Sequence, residues 1–336
     1  MPNHRRYPAP GSGPMCPPIR AVHAFHAATT LALITALAGP ATAARAAEDT
    51  EATEAAATPG AAPLAEQVLF VPVHGGGVDA ELETTVYRPD TPPPWPLVVI
   101  NHGSRGLPDP HQQPRYQPVE VARYFLDRGY LVVAPMREGF SKSTGRWEPS
   151  QCQTERYALR YGPDIAGVID WFVAQGQVLP DQVLVTGQSN GGMVGLAWST
   201  QAPKARAFIN FAGGVNTTYR NCDWAAAMIE AARSLGAKAR IRSLWIYTED
   251  DNIFPPSVSK PFFEAWHGAG APATYRLFPH GGHPFSQTRS GRQAWGPEVE
   301  AFLKDVGLPS RPRGAAQAPA AAAAATAAPA ASTPVK

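Results

Sequence analysis

From position 64 onward, short apolar runs alternate with longer stretches in which apolar residues recur every three or four positions. The apolar runs predict strands over 67–73, 83–88, 97–101, 131–135, 182–186, 207–211, 243–247 and 274–278. The helical spacing predicts helices over 118–128, 162–175, 190–201, 224–235, 259–268 and 295–306. Strand and helix in alternation build a mostly parallel central sheet with helices on both faces, because a parallel crossover needs a connection long enough to hold a helix. The first two strands are the exception. Gly75-Gly76-Gly77 between them is far too short for a crossover, so they are expected to form an antiparallel pair. The fold class read from the pattern is α/β, as one domain over 64–308.

The two ends break the pattern. Residues 1–46 carry Arg5, Arg6 and Arg20, then a short apolar stretch over 27–37, then small residues. Ala41-Thr42-Ala43 and Ala44-Arg45-Ala46 are both A-x-A cleavage sites, so a signal peptide is expected, with Met15 as an alternative start. The apolar stretch is too short for a stable membrane span, and none is expected after signal removal. Residues 47–63 read as a disordered linker and 309–336 as a disordered Pro/Ala-rich tail, since neither holds large apolar residues to bury.

Composition adds little to this except by exclusion. The chain has 336 residues and a formal net charge of +2, with no dense Lys/Arg run, which argues against nucleic acid as a partner. Of three cysteines, Cys16 lies in the leader, leaving Cys152 and Cys222; an even count in an exported, periplasmic or secreted protein suggests one disulfide. His and Cys lack zinc-ligand spacing and no phosphate-cradling glycine loop follows the first strand, so neither metal nor cofactor is expected.

Gly187-Gln188-Ser189-Asn190-Gly191 fits G-x-S-x-G between a predicted strand and a predicted helix. That turn thrusts the serine hydroxyl outward at the sheet's edge and makes Ser189 the candidate nucleophile. A serine needs a base and a group to orient it. Carboxylates follow the strand at 243–247, where Asp251 is favoured over Asp250 and Glu249. Histidines follow the strand at 274–278, where His283 is favoured over His280; His267 reads as structural. Both groups fall at carboxyl ends of strands, where such sheets place their sites.

The oxyanion donors are expected from the backbone N–H of Asn190 and, in the loop after the third predicted strand, that of Ser104, with Gly103 keeping the loop open. His102 in that loop reads as a structural hydrogen-bonder. His74-Gly75-Gly76-Gly77 matches the H-G-G-G of lipases but comes too early in the chain, and reads as a hairpin turn. Lys142, Arg146 and Trp147 in one polar loop, and Tyr219, Arg220 and Trp224 in another, are candidates for receiving an acidic or aromatic substrate.

The stretches 96–104, 137–141, 187–191, 245–251 and 282–283 together resemble the dienelactone hydrolase-like branch of the α/β-hydrolase superfamily, over essentially 64–308. The resemblance implies the α/β-hydrolase fold and a serine triad. Its D-x-x-[VF]-P acid motif matches Asp251-Asn252-Ile253-Phe254-Pro255. True dienelactone hydrolases use a cysteine nucleophile and are cytosolic, so position 189 departs from them and dienelactone is not the expected substrate. The expected activity is exported cleavage of small-molecule carboxylic esters through an acyl-enzyme on Ser189. The alternatives are a serine peptidase or acyltransferase of the same fold and, further off, a non-catalytic binding protein.

Overall fold

A computed structural model of the protein describes residues 63–314, apart from 76–77 and 202–203. The expected leader, nearly all of the linker and most of the tail lie outside the described residues. Among the described residues, eight strands form one sheet: β1 (Glu66–Gly75), β2 (Val78–Tyr87), β3 (Trp95–Asn101), β4 (Leu131–Pro135), β5 (Val178–Gln188), β6 (Ala207–Phe211), β7 (Arg242–Thr248) and β8 (Ala273–Phe278). Their order is β1-β2-β4-β3-β5-β6-β7-β8. β1 pairs with β2 and β2 with β4 antiparallel, and every other pairing is parallel. His74 and Gly75 lie on β1, and Gly75 pairs with Val78 of β2, as the hairpin reading of H-G-G-G expects.

Among the described residues, seven α-helices connect or cover the strands: α1 (Val119–Leu126), α2 (Thr154–Arg160), α3 (Gly162–Ala174), α4 (Asn190–Trp198), α5 (Trp224–Gly236), α6 (Pro256–Gly268) and α7 (Arg289–Asp305). Because side chains alternate across a strand, each central strand feeds two cores. Leu97, Val99, Leu131, Val133, Val183, Val185, Phe208 and Trp245 pack with residues of α2 to α6 on one face. Val98, Ile100, Val132, Leu184, Ile209 and Ile246 pack with residues of α1 and α7 on the other. Strands covered on both faces are apolar at most positions, which is why they read as nearly continuous apolar runs.

Four elements depart most from the sequence reading, and one of them is β2, which begins at Val78 rather than 83. α2 was not predicted: its seven residues carry too few apolar positions to show a period, and it abuts α3, where Pro163 marks a fresh helix start. β5 begins at Val178, ahead of Pro180 and Asp181, which resemble a turn. α7 begins at Arg289, where Thr288 caps it by accepting from Gly291 N–H; this polar first turn carries no apolar signal.

Candidate active site

Ser189 sits between β5 and α4 with φ 54° and ψ −125°, a backbone conformation that costs a non-glycine residue energy and persists only where its surroundings impose it. They do so closely. Ser189 N–H donates to the carbonyl of Phe211 at the end of β6 (3.0 Å), and the Ser189 carbonyl accepts from Gly192 (2.9 Å), Met193 (3.3 Å) and Gly214 (3.0 Å). The flanking glycines are needed for contact between backbones. A Cβ on Gly187 would lie 2.2 Å from the Gly191 oxygen, and one on Gly191 would lie 2.4 Å from the Asn101 oxygen.

His283 follows β8, and its Nδ1–H donates to both carboxylate oxygens of Asp251, at 3.0 and 3.2 Å. Asp251 follows β7 and is fully covered, while the imidazole is partly exposed. Burial pushes the Asp251 carboxyl up, but the His283 hydrogen bond and charge, with the amides of Phe254 and Ile253, outweigh it and hold the group below its usual range. Those amides donate to Oδ1 at 2.9 and 2.8 Å. The carboxylate is thus fixed as an acceptor, the imidazole proton is fixed on Nδ1, and Nε2 is left as the basic nitrogen.

Asp250 serves a different geometry. It accepts from the amides of Gly281 (3.1 Å) and Gly282 (2.8 Å) and so shapes the loop that carries the histidine. Those two amide hydrogen bonds, Gly282 first, outweigh what little burial it has and lower its pKa. His280 has an 88% exposed ring 3.9 Å from Asp250. The structure therefore joins Asp251 to His283 and leaves Asp250 and His280 outside that pair. His267 stacks on Phe263.

The two expected oxyanion donors lie on peptides whose carbonyls are already engaged. In a planar trans peptide the C=O and the following N–H point in opposite directions. The Gly103 carbonyl accepts from His102 Nδ1 (2.6 Å) and Gln113 Nε2 (3.0 Å), which turns the Ser104 N–H the other way. The Ser189 carbonyl, held by three amides, turns the Asn190 N–H outward in the same manner; as an opening N–H of α4, it has no intrahelical acceptor. Gly103 permits the approach of the two segments: a Cβ there would lie 2.6 Å from Gln188 Oε1 and 3.1 Å from Ser189 Cβ. Close packing against the elbow is thus a reason for that glycine besides the open loop expected from the sequence.

His102 is fully buried, and burial, with Arg137 nearby, holds its pKa well below the usual imidazole value despite the Gly103 carbonyl. Its Nε2 accepts from Arg137 N–H at 3.0 Å, so the neutral ring carries its proton on Nδ1. The sequence reading gave no role to Gln113, Arg137 or Tyr157 around this loop, although Arg137 opens the stretch 137–141 that carries part of the family resemblance. Arg137 also directly follows a buried strand and its Met136, which is a second local signal for it; the other two have none.

Cys152 and Cys222 form a disulfide with a Cα–Cα distance of 5.6 Å. It joins the loop after β4 to the loop after β6, both at the carboxyl edge of the sheet. Gln151, Cys152 and Asn221 all have positive φ beside it. Of the six proposed specificity residues, Trp147 and Trp224 pack against the core, whereas Tyr219 is 54% exposed.

Residues 76–235 match the X-Pro dipeptidyl-peptidase (S15) family, a span that contains the Ser189 elbow. A dipeptidyl aminopeptidase BIII of Pseudoxanthomonas mexicana is 26% identical over 236 residues, covering 62% of this chain and 33% of that protein. The chain thus spans about a third of the length of that curated relative. Among solved structures, a Klebsiella pneumoniae protein provisionally assigned as a dienelactone hydrolase aligns with a TM-score of 0.53 at 16% identity, over 72% of this chain and 99% of the other. An acylaminoacyl peptidase of Pyrococcus horikoshii aligns with a TM-score of 0.55 at 17% identity, over 75% of this chain and 43% of that one. A puromycin-hydrolyzing peptidase of Mycobacterium tuberculosis gives 0.54 at 18%, over 75% and 41%. The chain has the α/β-hydrolase fold, and within it residues 76–235 are similar to S15 peptidases.

Proposed function

We propose that the protein is a serine peptidase that cleaves amide bonds of short peptides or aminoacyl amides through an acyl-enzyme on Ser189. The observation that carries this reading is the S15 peptidase match over 76–235, supported by a curated relative that is itself a dipeptidyl aminopeptidase. Ester cleavage, expected from the sequence, is expected at the same site as well, since an ester has the better leaving group and needs the same machinery.

In the proposed cycle, Ser189 Oγ attacks the scissile carbonyl carbon while His283 Nε2 takes its proton. Asp251 stabilises the imidazolium, and the amides of Asn190 and Ser104 receive the oxyanion. Collapse of the intermediate breaks the C–N bond, and the leaving amine takes the proton from His283. Water then repeats the sequence against the acyl-serine, restoring Ser189 and releasing the acid. We further propose that the chain is exported through residues 1–46; the Cys152–Cys222 disulfide supports an oxidising destination.

A matched panel of aminoacyl and dipeptidyl p-nitroanilides, p-nitrophenyl esters and acceptor alcohols tests the reading. The expected result is turnover of anilides that Ser189→Ala abolishes. Turnover of esters alone would return the chain to the esterases, and acyl transfer to alcohols in preference to water would make it a transferase.

A further inference from the structure

The two amides assigned above to the oxyanion hole belong to separate segments, the loop after β3 and the first residue of α4. One buried side chain ties both. Arg137, two residues beyond β4, is 1% exposed. Its Nη1 donates to the carbonyl of His102, and its Nη2 donates to Asn190 Oδ1 at 2.9 Å. Its own N–H donates to His102 Nε2, which leaves the His102 proton on Nδ1 to hold the Gly103 carbonyl. Tyr157 O–H supplies the second hydrogen bond to Asn190 Oδ1, also at 2.9 Å. The rings of Phe140 and Tyr161 flank the guanidinium at 4.9 and 5.7 Å.

Burying a guanidinium is costly, and here its hydrogen-bond partners are a carbonyl and a side-chain amide oxygen rather than a carboxylate. A neutral side chain of similar volume would fill the space at less cost, so packing alone does not account for it. The fork geometry does: two nitrogens at a fixed separation set the distance between the two segments they hold.

We propose that Arg137 is a positioning residue for acyl transfer, acting as a rigid bridge that keeps the Ser104 and Asn190 amides converged on one oxygen atom. The proposal rests on the serine-hydrolase reading of Ser189. Arg137 itself touches no substrate; it acts through His102 and Asn190. The amides it aims matter most when charge develops on the oxygen, so its loss falls on the chemical step and leaves ground-state binding nearly unchanged.

The test uses the full chain with the best p-nitroanilide or ester of the panel, comparing wild type with Arg137→Lys, Asn190→Ala and the double variant. Lysine keeps the charge and loses the fork. Removing an oxyanion donor outright costs about a hundredfold to a thousandfold, and misaiming one costs less. Arg137→Lys is therefore expected to lower kcat roughly tenfold to a hundredfold with KM within about twofold. Phenylboronic acid, which forms a tetrahedral adduct on the serine, should bind more weakly in proportion to the loss in kcat/KM.

The double variant should lose less than the product of the single losses, because both changes cut the same bridge. The pH dependence of kcat should keep its wild-type shape, because Arg137 bonds to neither His283 nor Asp251. A folded Arg137→Lys with wild-type kcat would overturn the proposal, as would losses that multiply or that appear in KM alone. Should Arg137→Lys fail to fold, Asn190→Ala decides: wild-type kcat there also overturns it. An inactive wild type that a fluorophosphonate does not label would instead sink the underlying hydrolase reading.

Discussion

Replacing Asp251 by asparagine separates the two neighbouring carboxylates more sharply than any other single change. In the native loop, Asp251 Oδ1 already accepts from the amides of Ile253 and Phe254, and both oxygens accept from His283 Nδ1–H. Asparagine has one oxygen, which the two amides hold, so its NH2 must face the imidazole. A donor there makes Nδ1 the acceptor and moves the proton to Nε2, the nitrogen that has to receive the serine proton. The expected loss is about 10⁴ in kcat, or roughly 5 kcal/mol of transition-state stabilisation. Asp250→Asn keeps one of the two hydrogen bonds that Asp250 makes to the Gly281 and Gly282 amides, at an exposed position. Its kcat should stay within about tenfold of wild type, the scale of one weakened hydrogen bond. The assay is initial rate on one p-nitroanilide or ester, with circular dichroism to show that both variants fold. Equal losses in the two variants, or Asp251→Asn within tenfold of wild type, would refute the tautomer argument.

Three further expectations follow from the same geometry. Serine at both Cys152 and Cys222 opens a cross-link between residues 70 apart; chain entropy puts that at about 4 kcal/mol, so Tm should drop by roughly 8–16 °C, less whatever the three positive-φ residues beside it cost. Co-melting with wild type, or two titratable thiols in the native protein, would contradict the bridge. Gly187→Ala should abolish activity, because the new Cβ meets the Gly191 carbonyl at 2.2 Å, whereas Gly268→Ala, with nothing within 4 Å, should be neutral in activity and melting. Asp164 is pushed up to about 7 by burial and by the Glu138 charge, against the Glu138 amide and the charges of Arg137 and Arg160. A raised carboxyl stays protonated in the fold while the unfolded chain ionises, so wild type loses stability from about pH 4 to about pH 7 and no further above it. Asp164→Asn escapes that loss, and urea unfolding should show its advantage over wild type growing by up to a few kcal/mol across that window; a pH-independent difference would contradict the assignment.

What the sequence made legible follows from where the chain is covered. β4 and β6 begin and end where their apolar runs do, because strands buried on both faces are apolar at nearly every position, the buried Asn210 of β6 being an exception. The starts of α7 and β5 were unreadable because their first residues are polar or include proline, and tertiary contacts hold them instead. The site divides in the same way. The candidate nucleophile, acid and base sit at strand ends in an order that sequence displays, and D-x-x-[VF]-P favoured Asp251 over Asp250. Arg137 and Tyr157 reach Asn190 across 53 and 33 residues, so no local pattern could show that contact, even though 137–141 stands out as a motif. Even the close packing of Gly103 needed the elbow beside it to be seen.

The central claim is that Ser189 is a nucleophile primed by His283 and steadied by Asp251. Its most direct test is stoichiometric labelling of the folded protein by a fluorophosphonate, with the modified residue located by peptide mass spectrometry. The account predicts one label per chain, on Ser189, with labelling lost in Ser189→Ala and slowed severely in Asp251→Asn. Label on another residue, or none on the folded wild-type protein, would contradict it.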